Sequence, residues 1–271
     1  MIRIGNTVIE QGCFPDNSLM LKVIPNGEEA FITWNYESDI ELFTLICLVK
    51  HFDPIRFKLY LPYCPHARMD RVVNLEDVFT LKYFAQVINS LNFEQVIIED
   101  PHSNVCVALI DRAVSVFPGA YIQEAINQIA DPELIFCYPD EGAMKRYSTA
   151  IKVPHVYGNK NRDWETGKIK GLTLINEELV KDKNVLIIDD ICSRGGTFYH
   201  TAKALKEAGA KNIYLYITHC EMTIFNGEIF SSGLIDHVYT TNSIFPNNAQ
   251  NEKISIVTPK SPEESKIINE N

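Results

Sequence analysis

Two apolar segments that end in paired acids constrain the fold of this 271-residue chain most strongly. Val96–Asp100 and Val185–Asp190 each contain a run of aliphatic residues, and each closes with two consecutive acids. Runs that are apolar on both faces are typical of parallel strands covered by helices on either side. The chain therefore reads as two similar halves, each built around a buried strand with acids at its carboxyl end.

Strand-like and helix-like segments alternate along the rest of the chain. We predict strands at Ala30–Thr33, Phe57–Tyr60, Gln95–Ile98, Leu134–Cys137, Val185–Ile188, Ile213–Ile217, Val238–Thr240 and Ile254–Val257. Between them we predict helices at Asp39–His51, Glu76–Ser90, Ser103–Ala113, Tyr121–Ile129, Gly142–Lys152 and Thr197–Ala208. This alternation predicts an α/β fold of two similar doubly wound parallel-sheet domains. A Pro-Gly pair at position 118 punctuates the chain, so we place the domains at residues 1–118 and 119–271.

Charge and cysteine usage exclude several classes of protein. The net charge of −10 argues against a nucleic-acid partner held through its phosphates, which requires a basic face. The seven cysteines form no C-x-x-C pair, so they indicate reduced thiols rather than a zinc site. The most apolar stretch, Leu42–Lys50, is too short to cross a bilayer. We therefore expect a cytoplasmic protein with neither a nucleic-acid nor a membrane partner.

The segment Val185–Thr197 carries the strongest chemical pattern in the sequence. Asp189 and Asp190 end the predicted strand, where carboxylates suit the hydroxyls of a sugar. Gly195 and Gly196 follow, and a turn of this kind lets backbone N–H groups approach a phosphate at the start of a helix. Thr197 can donate its hydroxyl to the same phosphate. The simpler interpretation is a strand followed by a turn that the glycines merely close.

This segment resembles the phosphoribosyl pyrophosphate motif of type I phosphoribosyltransferases and of ribose-phosphate diphosphokinases. The resemblance implies a type I phosphoribosyltransferase-like fold for both domains. It also implies that the acid pair binds the ribose 2- and 3-hydroxyls, and that the loop Ser193-Arg194-Gly195-Gly196-Thr197 binds the 5-phosphate. Ser193 stands where many members carry Asp, so the loop keeps a hydroxyl donor but loses a carboxylate. The motif alone does not separate the two families.

Two segments in the first half resemble the diphosphokinases in particular. Tyr63–Arg71 is similar to that family's Y-x-R-Q-D-R segment, and the resemblance assigns ATP binding to Arg68, Met69, Asp70 and Arg71. Met69 replaces the usual Gln. Two arginines three residues apart can clamp a polyphosphate, although a lone segment of this kind would suit a solvated turn equally well.

Asp100-Pro-His102 resembles the family's D-x-H strand end, so the resemblance implies that His102 binds ATP and the Mg²⁺ on its phosphates. Asp140, in Tyr138-Pro-Asp140, would be the second metal ligand. Because Mg²⁺ prefers oxygen ligands, a histidine would act partly through water.

The segment Gly158–Asp163 and the polar stretch to Lys170 resemble the family's flexible catalytic loop. The resemblance implies that Lys160 stabilises charge on the transferring phosphates and that Arg162 reaches the same region. A surface loop with solvated cations is the alternative for this segment by itself. Three segments in the family's order favour the catalytic interpretation.

The first half also departs from the family. Ile24–Glu28 resembles its F-x-D-G-E segment, which reaches adenine in a neighbouring subunit, and assigns ATP contacts to Asn26, Gly27 and Glu28. Ile replaces the aromatic residue and Asn replaces the acid. The stretch from Glu28 to Arg68 is shorter than in usual members, which predicts weakened or absent control by ADP and phosphate. We expect a homo-oligomer, a dimer or larger, with a shared ATP site.

The resemblance implies synthesis of 5-phosphoribosyl 1-pyrophosphate from MgATP and ribose 5-phosphate, with Mg²⁺ as cofactor and AMP as the second product. No Walker A sequence is present, which excludes the usual P-loop kinase architecture. Two alternatives stay open. A phosphoribosyltransferase would explain Val185–Thr197 but would give the two cationic segments no purpose. A non-catalytic nucleotide-binding regulatory paralogue would fit Asn26 and Met69 but would need no cationic loop.

Overall fold

The computed structural model describes residues 1–23, 31–53, 55–162, 169–249 and 251–258. The chain forms two compact units, Met1–Phe117 and Pro118–Asn271. The boundary between them lies beside the Pro-Gly pair at which the sequence places its domain boundary. Each unit contains its own mainly parallel sheet and its own hydrophobic core.

Unit 1 is built on a six-stranded sheet with the order β2-β1-β5-β6-β7-β8. Its strands are β1 (Ile2–Ile4), β2 (Thr7–Val8), β3 (Gln11–Cys13), β4 (Leu19–Leu21), β5 (Phe31–Trp34), β6 (Lys58–Leu61), β7 (Gln95–Glu99) and β8 (Ala113–Val116). Its helices are α1 (Ile40–His51), α2 (Thr80–Ser90) and α3 (Asn104–Leu109). Strands β5 to β8 are parallel, whereas β1 runs antiparallel to both of its neighbours. β3 and β4 form a separate antiparallel pair.

The core of unit 1 follows from two sequence periods. In β7, Val96 and Ile98 are fully buried, as expected for a central strand between covered faces. Helix α2 buries Leu81, Phe84 and Ile88, which recur with helical spacing along one face. The two sets pack into one cluster, so the carboxyl end of β7 is held on a rigid layer.

Unit 2 is built on a seven-stranded sheet with the order β11-β10-β9-β12-β13-β14-β15. Its strands are β9 (Ile135–Tyr138), β10 (His155–Arg162), β11 (Ile169–Ile175), β12 (Val185–Cys192), β13 (Ile213–Cys220), β14 (His237–Thr240) and β15 (Ile254–Ile256). Its helices are α4 (Gly119–Ile129), α5 (Glu141–Tyr147) and α6 (Gly196–Glu207). All neighbouring strands are parallel except β10 and β11. Val185–Ile188 of β12 are completely buried, which confirms that this run is apolar on both faces.

The predicted α/β fold of parallel sheets is confirmed, and four local predictions are wrong. The helix predicted at Gly142–Lys152 ends at Tyr147. The helix predicted at Ser103–Ala113 ends at Leu109, because Ala113 begins the edge strand β8. The helix predicted from Glu76 begins only at Thr80. Within the loop predicted at 158–170, residues 158–162 instead continue β10, and β11, which begins at Ile169, pairs antiparallel with β10; residues 163–168 lie outside the described residues. None of the helices in the described ranges is long and apolar enough to span a membrane.

Candidate functional site

Asp189 and Asp190 lie at the centre of the candidate site in unit 2; they do not end the strand as predicted, because β12 continues to Cys192. Asp190 is only 2% exposed, and Nη1 of Arg146 on α5 lies 2.9 Å from its Oδ1. The backbone N–H of Asp190 donates to Oδ1 of Asp189 at 3.0 Å. Arg146 also lies over the ring of Tyr147, 5.7 Å from the ring centroid. A buried carboxylate requires a cation or several donors, and Arg146 supplies that charge.

The electrostatics of this site favour ligands that donate hydrogen bonds or carry positive charge. Burial and the neighbouring charge of Asp190 raise the pKa of Asp189 well above its ordinary range, and Asp140 adds to the effect. Asp140 caps α5, since its Oδ1 accepts the N–H of Ala143 at 3.0 Å. In the described ranges, no three His, Cys, Asp or Glu side chains are placed to hold a metal by themselves. Mg²⁺ is commonly held by one or two carboxylates together with substrate phosphates and water, so a metal ion bound by Asp140 would take its remaining ligands from a substrate and from water.

The loop between β12 and α6 has the geometry of an anion site. Gly195 has φ +76°, and a Cβ on it would lie 2.6 Å from Cγ1 of Ile229, so only glycine suits this position. Gly196 begins the 12-residue helix α6 and faces open space. Thr197 lies half-buried in the first turn, and Arg194 is exposed. Unpaired N–H groups and the helix dipole at this end favour a phosphate.

The segment 221–229 supports this loop, and sequence reasoning missed it. Oγ of Ser193 lies 3.0 Å from Oγ1 of Thr223, which donates to Oε2 of Glu221 at 2.9 Å. The N–H of Glu221 donates to the carbonyl of Cys192 at 2.8 Å. A Cβ on Gly227 would overlap the carbonyl of Arg194. The Asn226-Gly227 pair was the only sequence feature that could have indicated this close approach.

Unit 1 brings two of the predicted ATP segments together. Nε of Arg71 donates to Oδ1 of Asp70 at 2.9 Å. Although burial by itself would raise the pKa of Asp70, the Ser103 hydroxyl, Arg71 and His102 hold that pKa below its ordinary value. The segment after β6 and the segment after β7 therefore meet at one buried carboxylate. Their meeting follows from the fold, because parallel strands end at the same edge of the sheet.

The structure gives fewer contacts for the remaining residues that were predicted to bind ATP. Arg68 and Met69 are exposed in the turn before Asp70. Asn26, Gly27 and Glu28 lie outside the described residues. His102 and Asp140 belong to different units.

The sequence analysis also gave no functional role to Glu99, a buried acid at the end of β7. Glu99 is 7% exposed, and the hydroxyl of Tyr60 donates to its Oε2 at 2.8 Å. Burial raises the pKa of Glu99 to about 7, with a smaller contribution in the same direction from Asp100, while the Tyr60 hydrogen bond opposes the shift. Glu99 therefore changes charge near neutral pH at the sheet edge that carries Asp70 and His102.

The backbone positions of Lys160 and Arg162 are described, and their side chains lie outside the described part of the structure. Lys160 pairs with Leu172 and Arg162 with Ile169, with a register shift between positions 161 and 162. Gly158 begins this outer part of β10, where a Cβ would lie 2.6 Å from the carbonyl oxygen of Pro139. The two cations are thus carried by a β-hairpin that adjoins β9 at the strand end bearing Asp140.

Comparisons with known proteins place the chain among enzymes of phosphoribosyl pyrophosphate chemistry. The family model of the phosphoribosyl transferase domain matches residues 82–223. A ribose-phosphate pyrophosphokinase of Thermococcus kodakarensis is 30% identical over 236 residues, covering 83% of this chain and 79% of the relative. The enzyme of that name from Pyrococcus abyssi is 29% identical over 275 residues, covering 94% and 90%. The crystal structure of phosphoribosylpyrophosphate synthetase from Mycobacterium smegmatis superposes with a TM-score of 0.74 at 17% identity, covering 96% of this chain and 89% of that one, and so supports the fold.

Proposed function

The chain belongs to the ribose-phosphate pyrophosphokinase family of transferases, and on that premise we propose the reaction it catalyses. O1 of ribose 5-phosphate attacks the β-phosphorus of MgATP, a new O1–Pβ bond forms, and the bond from Pβ to the oxygen on the α-phosphorus breaks. The products are 5-phosphoribosyl 1-pyrophosphate and AMP. The proton of the anomeric hydroxyl is released to solvent.

The observation that carries the proposal is the end of β12. Within nine residues it combines an acid pair of which Asp190 is buried, a glycine at positive φ and the start of a 12-residue helix. We assign ribose 5-phosphate to this place, with the 2- and 3-hydroxyls donating to Asp189 and Asp190 and the 5-phosphate on the loop Ser193–Thr197. The raised pKa of Asp189 supports the assignment, because hydroxyl donors relieve excess negative charge.

We assign ATP to the edge of unit 1 formed by the segments after β6 and β7. The exposed guanidinium groups of Arg68 and Arg71 suit a polyphosphate, and Asp70 fixes Arg71 by an ion pair at 2.9 Å. His102 lies in the same group of charges. Asn26, Gly27, Glu28 and Met69 complete the proposed ATP contacts.

Catalysis in this proposal rests on positioning and on cationic stabilisation. Phosphoryl transfer demands little covalent chemistry from the protein, because nucleophile and leaving group supply it. Lys160 and Arg162 on the β10–β11 hairpin would neutralise charge that develops on the transferring phosphates. His102 and Asp140 would hold the Mg²⁺ of MgATP, which would offset the charge on the phosphates.

The proposal extends to the setting of the enzyme. Residues 1–118 form the ATP side, and residues 119–271 carry the sugar site and the catalytic hairpin. We propose a cytoplasmic homo-oligomer with a shared ATP site. The shortened stretch between Glu28 and Arg68 predicts weak control by ADP, which a titration with ADP at several ribose 5-phosphate concentrations measures.

The test compares initial rates of AMP formation from MgATP and ribose 5-phosphate in the wild type, Lys160→Ala and Lys152→Ala. Lys152 is an exposed cation before β10 and serves as the matched control. We expect Lys160→Ala to lower kcat by about 10²- to 10³-fold, the range for removal of one transition-state donor. Lys152→Ala should retain the wild-type rate. No AMP from a folded wild type that binds ribose 5-phosphate would refute the proposal in favour of a regulatory paralogue.

A further inference from the structure

The hydroxyl of Ser193 belongs to a three-member chain of hydrogen bonds inside unit 2. Ser193 Oγ and Thr223 Oγ1 lie 3.0 Å apart, and Thr223 Oγ1 lies 2.9 Å from Oε2 of Glu221. All three side chains are half-buried. These hydrogen bonds join the loop after β12 to the segment after β13. The two strands are themselves paired as far as Cys192 and Cys220.

Proton counting fixes the direction of this chain. A carboxylate can only accept, so the single hydroxyl proton of Thr223 is committed to Glu221. Thr223 then contacts Ser193 with a lone pair, which means that Ser193 must donate its own proton to Thr223. A serine hydroxyl has one proton, so Ser193 has none left for a phosphate. It presents only lone pairs on its remaining side.

We propose that Thr223 and Glu221 are positioning residues that turn Ser193 into a hydrogen-bond acceptor anchored to the segment 221–229. This inference rests on the proposed binding of ribose 5-phosphate to the same loop. It corrects the expectation that Ser193 donates its hydroxyl to the phosphate. The phosphate is instead bound by the backbone N–H groups of the loop, by the first turn of α6 and by Thr197.

The arrangement also accounts for a residue that the sequence left unexplained. The resemblance described for the sequence leads us to expect Asp, an acceptor, at the position of Ser193. The hydrogen bond from Thr223 to the Glu221 carboxylate makes Ser193 an acceptor as well. The negative charge of Glu221 is separated from the phosphate loop by the hydroxyl of Thr223. The loop carbonyl of Arg194 packs against Gly227 and the side of Gly195 against Ile229, so the same segment fixes the backbone as well.

The experiment is a double-mutant cycle on Ser193→Ala and Thr223→Val, with Thr223→Ser as the conservative control. The readouts are the Kd of ribose 5-phosphate by calorimetry without ATP, and kcat and KM in the synthesis assay. We expect each single variant to weaken ribose 5-phosphate binding about tenfold, and the double variant to be no weaker than either single one. Thr223→Ser keeps the hydroxyl and should bind within about twofold of the wild type. KM should rise with kcat nearly unchanged, as expected for lost ground-state positioning.

Three outcomes would overturn the inference. One is a double variant about 100-fold weaker, the product of two independent effects. Another is an unaffected Thr223→Val. The third is a Thr223→Ser variant as weak as Thr223→Val. If Thr223→Val does not fold, Glu221→Ala cuts the chain of hydrogen bonds at its other end and supplies the same cycle. Because calorimetry requires only sugar phosphate binding, a wild type that binds but makes no product fails the proposed reaction and leaves this test intact.

Discussion

Replacing Gly195 with Ala is expected to destabilise unit 2 and to distort the phosphate loop. Two costs add at this position. The backbone has φ +76°, and a residue with a Cβ in the left-handed region costs about 1–2 kcal/mol. The new Cβ would also lie 2.6 Å from Cγ1 of Ile229, and overpacking of a tight site costs about 1–3 kcal/mol. Gly195→Ala should therefore lower the free energy of unfolding by about 2–5 kcal/mol.

Gly233→Ala separates the two costs. Gly233 has φ +66°, and nothing lies within 4 Å of its hypothetical Cβ, so this variant carries the backbone cost alone. Urea unfolding followed by circular dichroism should show a smaller loss of about 1–2 kcal/mol. Calorimetry with ribose 5-phosphate should show weaker binding in Gly195→Ala and unchanged binding in Gly233→Ala. Equal destabilisation of the two variants would refute the claim that Ile229 closes the loop from behind.

Three further predictions concern charge and reactivity. Glu99 has a pKa of about 7 in the folded chain against an ordinary value of 4.5, so the stability that its protonated form contributes is present below pH 4.5 and is lost as pH rises through about 7. The free energy of unfolding should fall over that range by at most about 3 kcal/mol. Glu99→Gln should remove this dependence on pH. Arg146→Met removes the cation that pairs with the buried Asp190 carboxylate and should destabilise unit 2 by about 2–4 kcal/mol in thermal unfolding. Lys145→Met removes only an exposed ion pair with Glu141 and should cost less than about 0.5 kcal/mol. Similar losses of stability in the two variants would contradict the role of Arg146. A thiol-reactive dye should modify the exposed Cys13 rapidly in the native protein, while rapid modification of the buried thiols would contradict the packing around Cys64, Cys106, Cys137, Cys192 and Cys220.

The parallel strands were predictable because a strand that is buried on both faces consists of a continuous run of apolar side chains. Val185–Ile188 contains no polar residue, and its burial on both faces follows directly from that run. The end of this strand was not predictable, because β12 continues past the acid pair to Cys192 through its pairing with β13. The outer part of β10 was missed because Gly158–Arg162 is polar and rich in residues of low strand propensity, so its pairing with β11 determines its structure.

Contacts between distant segments were beyond sequence reasoning. Arg146 precedes Asp190 by many residues, and only the packing of α5 on the sheet brings them to 2.9 Å. Thr223 meets Ser193 for a similar reason, because β12 and β13 are neighbours and their ends converge. A local sequence pattern indicates which residue types form a site. The hydrogen-bond partners of those residues, and the positions of their protons, can be inferred only from the folded structure.

The measurement that tests the central claim most directly is ³¹P NMR of the wild-type protein with MgATP and ribose 5-phosphate. The proposed reaction predicts that AMP and 5-phosphoribosyl 1-pyrophosphate appear together in equal amounts, with the β-phosphorus signal moving from ATP to the sugar product. ADP in place of AMP would contradict transfer of the diphosphoryl group. An unchanged ATP spectrum, with pyrophosphate released only when 5-phosphoribosyl 1-pyrophosphate and a nucleobase are supplied, would identify a phosphoribosyltransferase instead.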